Sequence, residues 1–208
     1  MFRAFHSIFI ADTPPVSEGL VRGLDEGSEL SAFLNGNSGV SFNGGIYRVL
    51  PRDSISVWDG YVTAAFPSYS GYIDCFGVDW LGRIFAVDSR RDEGGMPGVV
   101  LFEPGTGDSF DVPGNIITFH NDVLLNRSEA ALAESFYKMW IGNGGPAPRV
   151  DQCIGYKRPL FLGGEDELSN LEVADLDVYW NLASQLIQRV RNLPVGTPIG
   201  NISINDSN

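Results

Sequence analysis

The residue types able to do acid–base, nucleophilic or metal chemistry are sparse in this chain. Its histidines are His6 and His120, and its cysteines are Cys75 and Cys153. His120 with Asp122 could contribute to a metal site, but zinc or iron needs more nitrogen or sulfur donors than are evident. A histidine half-buried on an amphipathic helix is the simpler account. Cys153 with His120 could form a thiol–imidazole pair, yet Cys153 runs into Ile154 and reads as a core position. Both cysteines lie in apolar, strand-like runs, which predicts buried free thiols and not a disulfide framework. Asp79 and Asp88 could be paired carboxylates, although aspartates at strand ends more commonly accept hydrogen bonds from turn amides. Asn43-Gly44-Gly45 and Gly142-Asn143-Gly144-Gly145 lack the Lys-Ser/Thr of a P-loop and the strand–turn–helix setting of a dinucleotide fingerprint, and read as turns. No catalytic residue, metal site or cofactor is expected, so the chain reads as a protein that binds.

The elements that would position these residues follow from local patterning. Tyr72–Asp79 and Arg83–Asp88 read as short strands joined through Trp80-Leu81-Gly82, with Gly82 taking a positive φ. Gly98–Glu103 is a third strand, Pro104–Asp108 a turn and Ser109–Val112 the start of a return strand, making an antiparallel meander. Asn115 can cap a helix through Leu125, with Ile116, Phe119 and Val123 facing inward. Ser128 would cap the next helix, carrying Leu132, Phe136, Met139 and Trp140. Ile154–Leu162 returns to strand character and Gly163-Gly164 closes it. In the last helix Leu176, Tyr179, Trp180, Ala183, Leu186, Ile187 and Val190 recur at helical spacing. Asp175 and Asp177 sit at its positive end and Arg189 and Arg191 at its negative end.

Earlier in the chain, Val16–Leu34 has helical spacing, and Ser17 and Glu18 could open a helix after Pro14-Pro15, although Gly19, Gly23 and Gly27 weaken it. Phe42–Leu50 reads as a turn feeding a strand, and Ile55–Phe66 as a short helix. The fold class is therefore α+β: a small antiparallel meander sheet packed by helices from both ends of the chain.

Composition narrows the function. The chain has 208 residues, 25 of them glycine and 12 proline, which favours short strands and turns over a helical bundle. Its net charge of −12 argues against direct nucleic-acid binding and against anionic headgroups. An acidic surface keeps a protein soluble and steers basic partners toward it. The N-terminal Met1–Ile10 stretch has a faint signal-peptide look, but His6, Ser7 and Asp12 interrupt it. No run approaches membrane-spanning length, and a cytoplasmic address is expected. The densest acidic stretch holds Glu165, Asp166, Glu167, Glu172, Asp175 and Asp177 with no basic residue between. A solvated face and ordinary helix-start chemistry would account for it; the functional reading is a docking surface for a basic protein partner.

Several runs resemble a family of bacterial immunity proteins. They are Val78–Asp88, Leu101–Gly107, Phe119-His120-Asn121, Cys153–Gly164, Asn170-Leu171-Glu172 and Val178-Tyr179-Trp180. Together they resemble the Tdi-type C-terminal domain of proteins that neutralise type VI secretion DNase effectors. Phe42–Val49 and its surroundings are similar to a GAD-like domain. The resemblance implies a GAD-like region over 1–70, a Tdi-type domain over 71–193 and a polar tail over 194–208. It implies a cytoplasmic antidote to one cognate effector toxin, a basic nuclease, acting by blocking the active site or deforming the fold. It carries over no catalytic residues. A regulatory scaffold with no dedicated toxin, and a metal protein built on His120, are the alternatives from other classes.

Overall fold

The computed structural model describes residues 1–15, 27–191 and 193–194. At its centre is a six-stranded antiparallel sheet whose strands lie in chain order. They are β1 (Ser41–Phe42), β2 (Tyr47–Val49), β3 (Ile73–Asp79), β4 (Ile84–Asp92), β5 (Pro97–Glu103) and β6 (Asp108–Asn115). The expected meander is thus present and extends two strands toward the N-terminus. β2 pairs with β3 through Tyr47↔Asp79, Arg48↔Val78 and Val49↔Gly77, so residues on both sides of position 70 share one sheet. A separate two-stranded ribbon joins β7 (Gln152–Tyr156) to β8 (Leu171–Asp175).

Alternation along the strands divides the core into two layers. Phe76, Phe85, Val87, Val99 and Leu101 face one cluster, whereas Cys75, Val78, Ile84, Ala86, Val100 and Phe102 face the other. The first is covered by α1 (Arg3–Ile8), α2 (Glu29–Asn37), the helical run Ile116–Asn126, α6 (Ser128–Leu132) and α7 (Glu134–Gly142). Within that run, α4 (Ile116–Thr118) and α5 (Leu124–Asn126) flank a π-helical turn at Phe119–Val123. The second layer is covered by α3 (Ile55–Ala65) and α8 (Leu176–Val190), which pack on each other. Helices from both ends of the chain therefore enclose the sheet, the α+β arrangement expected.

Local chemistry fixes most boundaries. Asn115 accepts from the amides of Ile117 and Thr118, and Thr118 Oγ1 accepts from the Asn115 amide, a reciprocal cap. Ser28 caps α2 by accepting from Ser31; the expected opening of that helix at Ser17 and Glu18 lies outside the described residues. Asp177 in the first turn and Arg189 in the last complement the α8 dipole. Leu176, Trp180, Ala183 and Ile187 are its buried face.

Three expectations need correction. Ile154–Leu162 is not one strand: Pro159 has no N–H to donate, and the chain turns into a single 3₁₀ turn at Leu160–Leu162. The helix expected from Ser128 is broken at Ala133, whose φ of 49° is left-handed, giving α6 and α7. That break shifts the phase, so Tyr137 is buried while Met139 is exposed. Ser128 does not cap through its side chain; its hydroxyl donates to Glu134.

Candidate functional site

The connection from β3 to β4 builds the most highly charged interior of the protein. Asp79 is fully buried and its Oδ1 accepts from the amides of Leu81 and Arg83, at 3.0 and 2.9 Å. Its Oδ2 receives Arg83 Nε and Nη2, both at 2.6 Å. Arg83 Nη2 also donates to the Ala131 carbonyl at 3.1 Å. A second buried guanidinium, Arg48 on β2, donates to the carbonyls of Asp79, Arg149 and Gln152. The turn is held tight by Gly82, whose φ is 78° and where a Cβ would meet Cys153 at 3.1 Å. The Gly82 carbonyl accepts from Trp180 Nε1 at 2.7 Å and the Trp80 carbonyl from the Ile154 amide at 2.7 Å. One short turn thus joins the sheet, the ribbon and α8.

Glu103, at the end of β5, is the unfinished member of this group. Its Oε1 accepts from the Gly105 amide at 3.3 Å, and its Oε2 lies 3.5 Å from Arg83 Nε. Burial pushes this carboxyl up to about 7 against the pull of Arg83, and the charges of Asp79 and Asp166 add to the rise. Burial works against the Arg83 charge as well, but Asp79 and Glu103 more than offset it and hold the guanidinium above its ordinary value. Gly105 allows the Tyr156 ring to lie against this corner, since a Cβ there would meet Cδ2 at 2.7 Å. Tyr156 in turn donates to Asp166 Oδ1 at 2.6 Å.

Above Glu103 opens a groove of about 460 Å³ between the outer strand β6 and the helical wall at 123–131. Leu101, Phe110, Val112, Val123 and Ala130 make its sides apolar, with Arg83 and Glu103 between them. Phe110 is 48% exposed, a large apolar side chain on an edge strand.

The acidic stretch is divided by the fold. Glu165, Asp166 and Glu167 are exposed on the loop before β8, and Asp166 is tied to Tyr156. Glu172 and Asp175 stand three residues apart on β8, so strand alternation directs them to opposite faces of the ribbon. Asp175 and Asp177 border a second groove shared with Asp151 and Trp58.

The remaining chemical candidates have structural partners. His120 is fully buried in the π-helical turn; Nδ1 donates to the Ile116 carbonyl at 2.8 Å, which leaves Nε2 to accept from Tyr47 Oη at 2.9 Å. Burial pulls its pKa down to about 3. Phe2, Phe5, Phe33, Phe76 and Phe119 ring the imidazole. It is more deeply buried than the half-buried helix position expected. Asp122 is exposed and bonded to Asn126, and no group of three metal-type ligands occurs among the described residues. Cys75 and Cys153 are free, buried thiols, and burial lifts Cys153 to about 12. Cys153 belongs to the layer opposite His120 and its aromatic ring contacts, so no thiol–imidazole pair forms. Asp88 lies within β4 and not at a strand end; it accepts from the amide and the guanidinium of Arg90 on the same strand.

The sequence reading missed Arg48, Arg83 and Glu103. Arg83 and Asp79 at i, i+4 across a tight turn were the available signal. Nothing local marks Glu103, which joins them only through strand pairing. No helix among the described residues is long and apolar enough to cross a membrane.

A family model described as T6SS immunity protein Tdi1, C-terminal, matches residues 125–187. That span contains the ribbon, most of α8 and the whole acidic stretch, and starts after the meander. The fold is similar to the crystal structure of Atu4351 from Agrobacterium tumefaciens, with a TM-score of 0.58 at 14% identity over 89% of each chain. No curated protein matches the chain.

Proposed function

We propose that this chain is an immunity protein that binds and neutralises a cognate toxin delivered by type VI secretion. The observation that carries the reading is the match of residues 125–187 to the Tdi1 C-terminal family model. The chemistry is compatible with it: the titratable candidates have structural partners, and the net charge is −12. The toxin class that suits such a surface is a nuclease, because an enzyme that holds phosphate presents Lys and Arg to it. An acidic inhibitor associates quickly with that surface and competes with the substrate. On this reading Glu165, Asp166 and Glu167 steer the approach, since they are exposed and sit together on one loop.

Co-expression with the toxin encoded beside the gene should rescue growth, and the two proteins should co-purify. If the purified pair shows no binding, the immunity reading fails. Reversing charge at Glu165, Asp166 and Glu167 together should slow association and flatten its salt dependence. An unchanged association rate would remove those residues from the docking surface while leaving the immunity role in place.

A further inference from the structure

We infer that the groove between β6 and the helical wall receives a basic side chain, arginine or lysine, from the toxin; this rests on the immunity reading above. Arg83 directs Nε and Nη2 at Asp79 and the Ala131 carbonyl, which leaves Glu103 only a long contact with Nε. Glu103 is 8% exposed, yet among the described residues it accepts one long hydrogen bond, from Gly105, and Oε2 has a 3.5 Å ion-pair contact with Arg83. A carboxyl held this way lacks a strong donor.

The charges around it favour a cation. Burial raises the carboxyl to about 7 against the pull of Arg83, with Asp79 and Asp166 adding to the rise, and a cation brought against it would favour its ionised form. Asp111 adds a carboxylate to the rim, in a long 3.5 Å ion pair with Arg91. The opposing charges are Arg83, paired with Asp79 at the floor, and Arg127, exposed on the helical wall. The walls suit a long apolar stem: Leu101, Phe110 and Val112 flank the path to Glu103. Lysine and arginine are the side chains that combine such a stem with a cationic donor head.

The probe is the toxin encoded beside the gene, made inactive by substitution in its own active site, with affinity measured by calorimetry. Glu103→Gln keeps an acceptor for Gly105 and removes the charge; Ala130→Trp fills the groove from an exposed helix position. Each should weaken binding about ten-fold or more, the scale of a buried interface anchor. Arg127→Ala should tighten binding, because it removes a like charge from the groove wall. If Glu103→Gln and Ala130→Trp bind as the unaltered chain does, the groove is not the receptor. If Arg127→Ala weakens binding and Glu103→Gln does not, the occupant is anionic and the inference is wrong. A toxin that fails to bind the unaltered chain overturns the immunity reading instead, and this inference with it. Thermal melting of each variant checks folding, and Ala130→Trp decides the matter should Glu103→Gln lose its structure.

Discussion

Two buried polar centres lie in the same core layer, and they are built on opposite terms. Around His120 every polar atom has a partner and no formal charge is present: the imidazole is neutral, donates once, accepts once and is enclosed by phenylalanines. Around Asp79, Arg83 and Glu103 the groups are ionic and the last carboxyl is under-supplied with donors. The first arrangement suits an anchor, since it fixes one packing and exposes nothing. Phe119-His120-Asn121 illustrates this: Phe119 fills the core, His120 reaches Tyr47, and Asn121 bonds the backbone of Phe5 and Met1 to hold α1. The second suits recognition, because an incoming donor would complete it.

The sharpest way to break this contrast is Arg83→Ala. It strands Asp79 in the interior with two backbone donors and Arg48, which does not bond its carboxylate, as the remaining countercharge. Removing one partner of a buried ion pair costs about 3–5 kcal/mol, which urea unfolding would register as a large fall in midpoint at constant slope. A loss under about 1 kcal/mol would show that water reaches Asp79 and that the node is not a low-dielectric site.

His120→Ala should come next, at about 2–4 kcal/mol, from the cavity left among aromatic rings and the orphaned Tyr47 hydroxyl. The two centres should also respond to pH with opposite signs. His120 has its pKa depressed from 6.5 to about 3 on folding. Its contribution is therefore complete above 6.5 and is lost as pH falls through that window. Glu103 is raised from 4.5 to about 7. Its contribution is complete below 4.5 and is lost as pH rises through 7. His120→Asn should remove a rise in stability between about pH 3 and 6.5, and Glu103→Gln should remove a fall between about pH 4.5 and 7. At pH 8 Glu103→Gln should be more stable than the unaltered chain by on the order of 2 kcal/mol. If the two substitutions changed the slope of the stability profile in the same direction, the assignment of opposite electrostatic characters would fail.

The anchor was partly legible in the sequence and the charged centre was not. Asn115 with the apolar spacing of Ile116, Phe119 and Val123 announces a capped helix, and the meander follows from strands punctuated by Gly82 and Pro104-Gly105. Phe2, Phe5 and Phe9 carried the helical spacing of α1, but His6 and Ser7 interrupt the apolar run and hid it. β8 is five residues long, with Glu172 and Asp175 among them, so its alternation was too short to stand out. Glu103 meets Arg83 only because β4 and β5 pair, and Arg127 reaches the same groove from a helix. Such a site is a product of register and packing, which no window along the chain contains.

The smallest expected effect concerns the hinge between the two helical pieces that border the charged centre. Ala133 separates α6 from α7 with φ and ψ both 49°, a left-handed conformation that costs an L-residue about 1–2 kcal/mol. Nothing in the sequence marks this alanine as a turn residue, and the break is held from outside. The Leu132 carbonyl accepts from Trp80 at 2.8 Å and the Ala131 carbonyl accepts from Arg83, so the sheet and the charged turn fix the chain on the N-terminal side of the kink. Ala133→Gly removes the steric cost but adds freedom to the unfolded chain, so the net gain should be about 0.5–1 kcal/mol. The same substitution in the Arg83→Ala background should gain less, because the restraint that enforces the kink is weakened. Equal gains in both backgrounds would mean that Trp80 alone sets the hinge and that the charged centre does not shape the helical wall beside it.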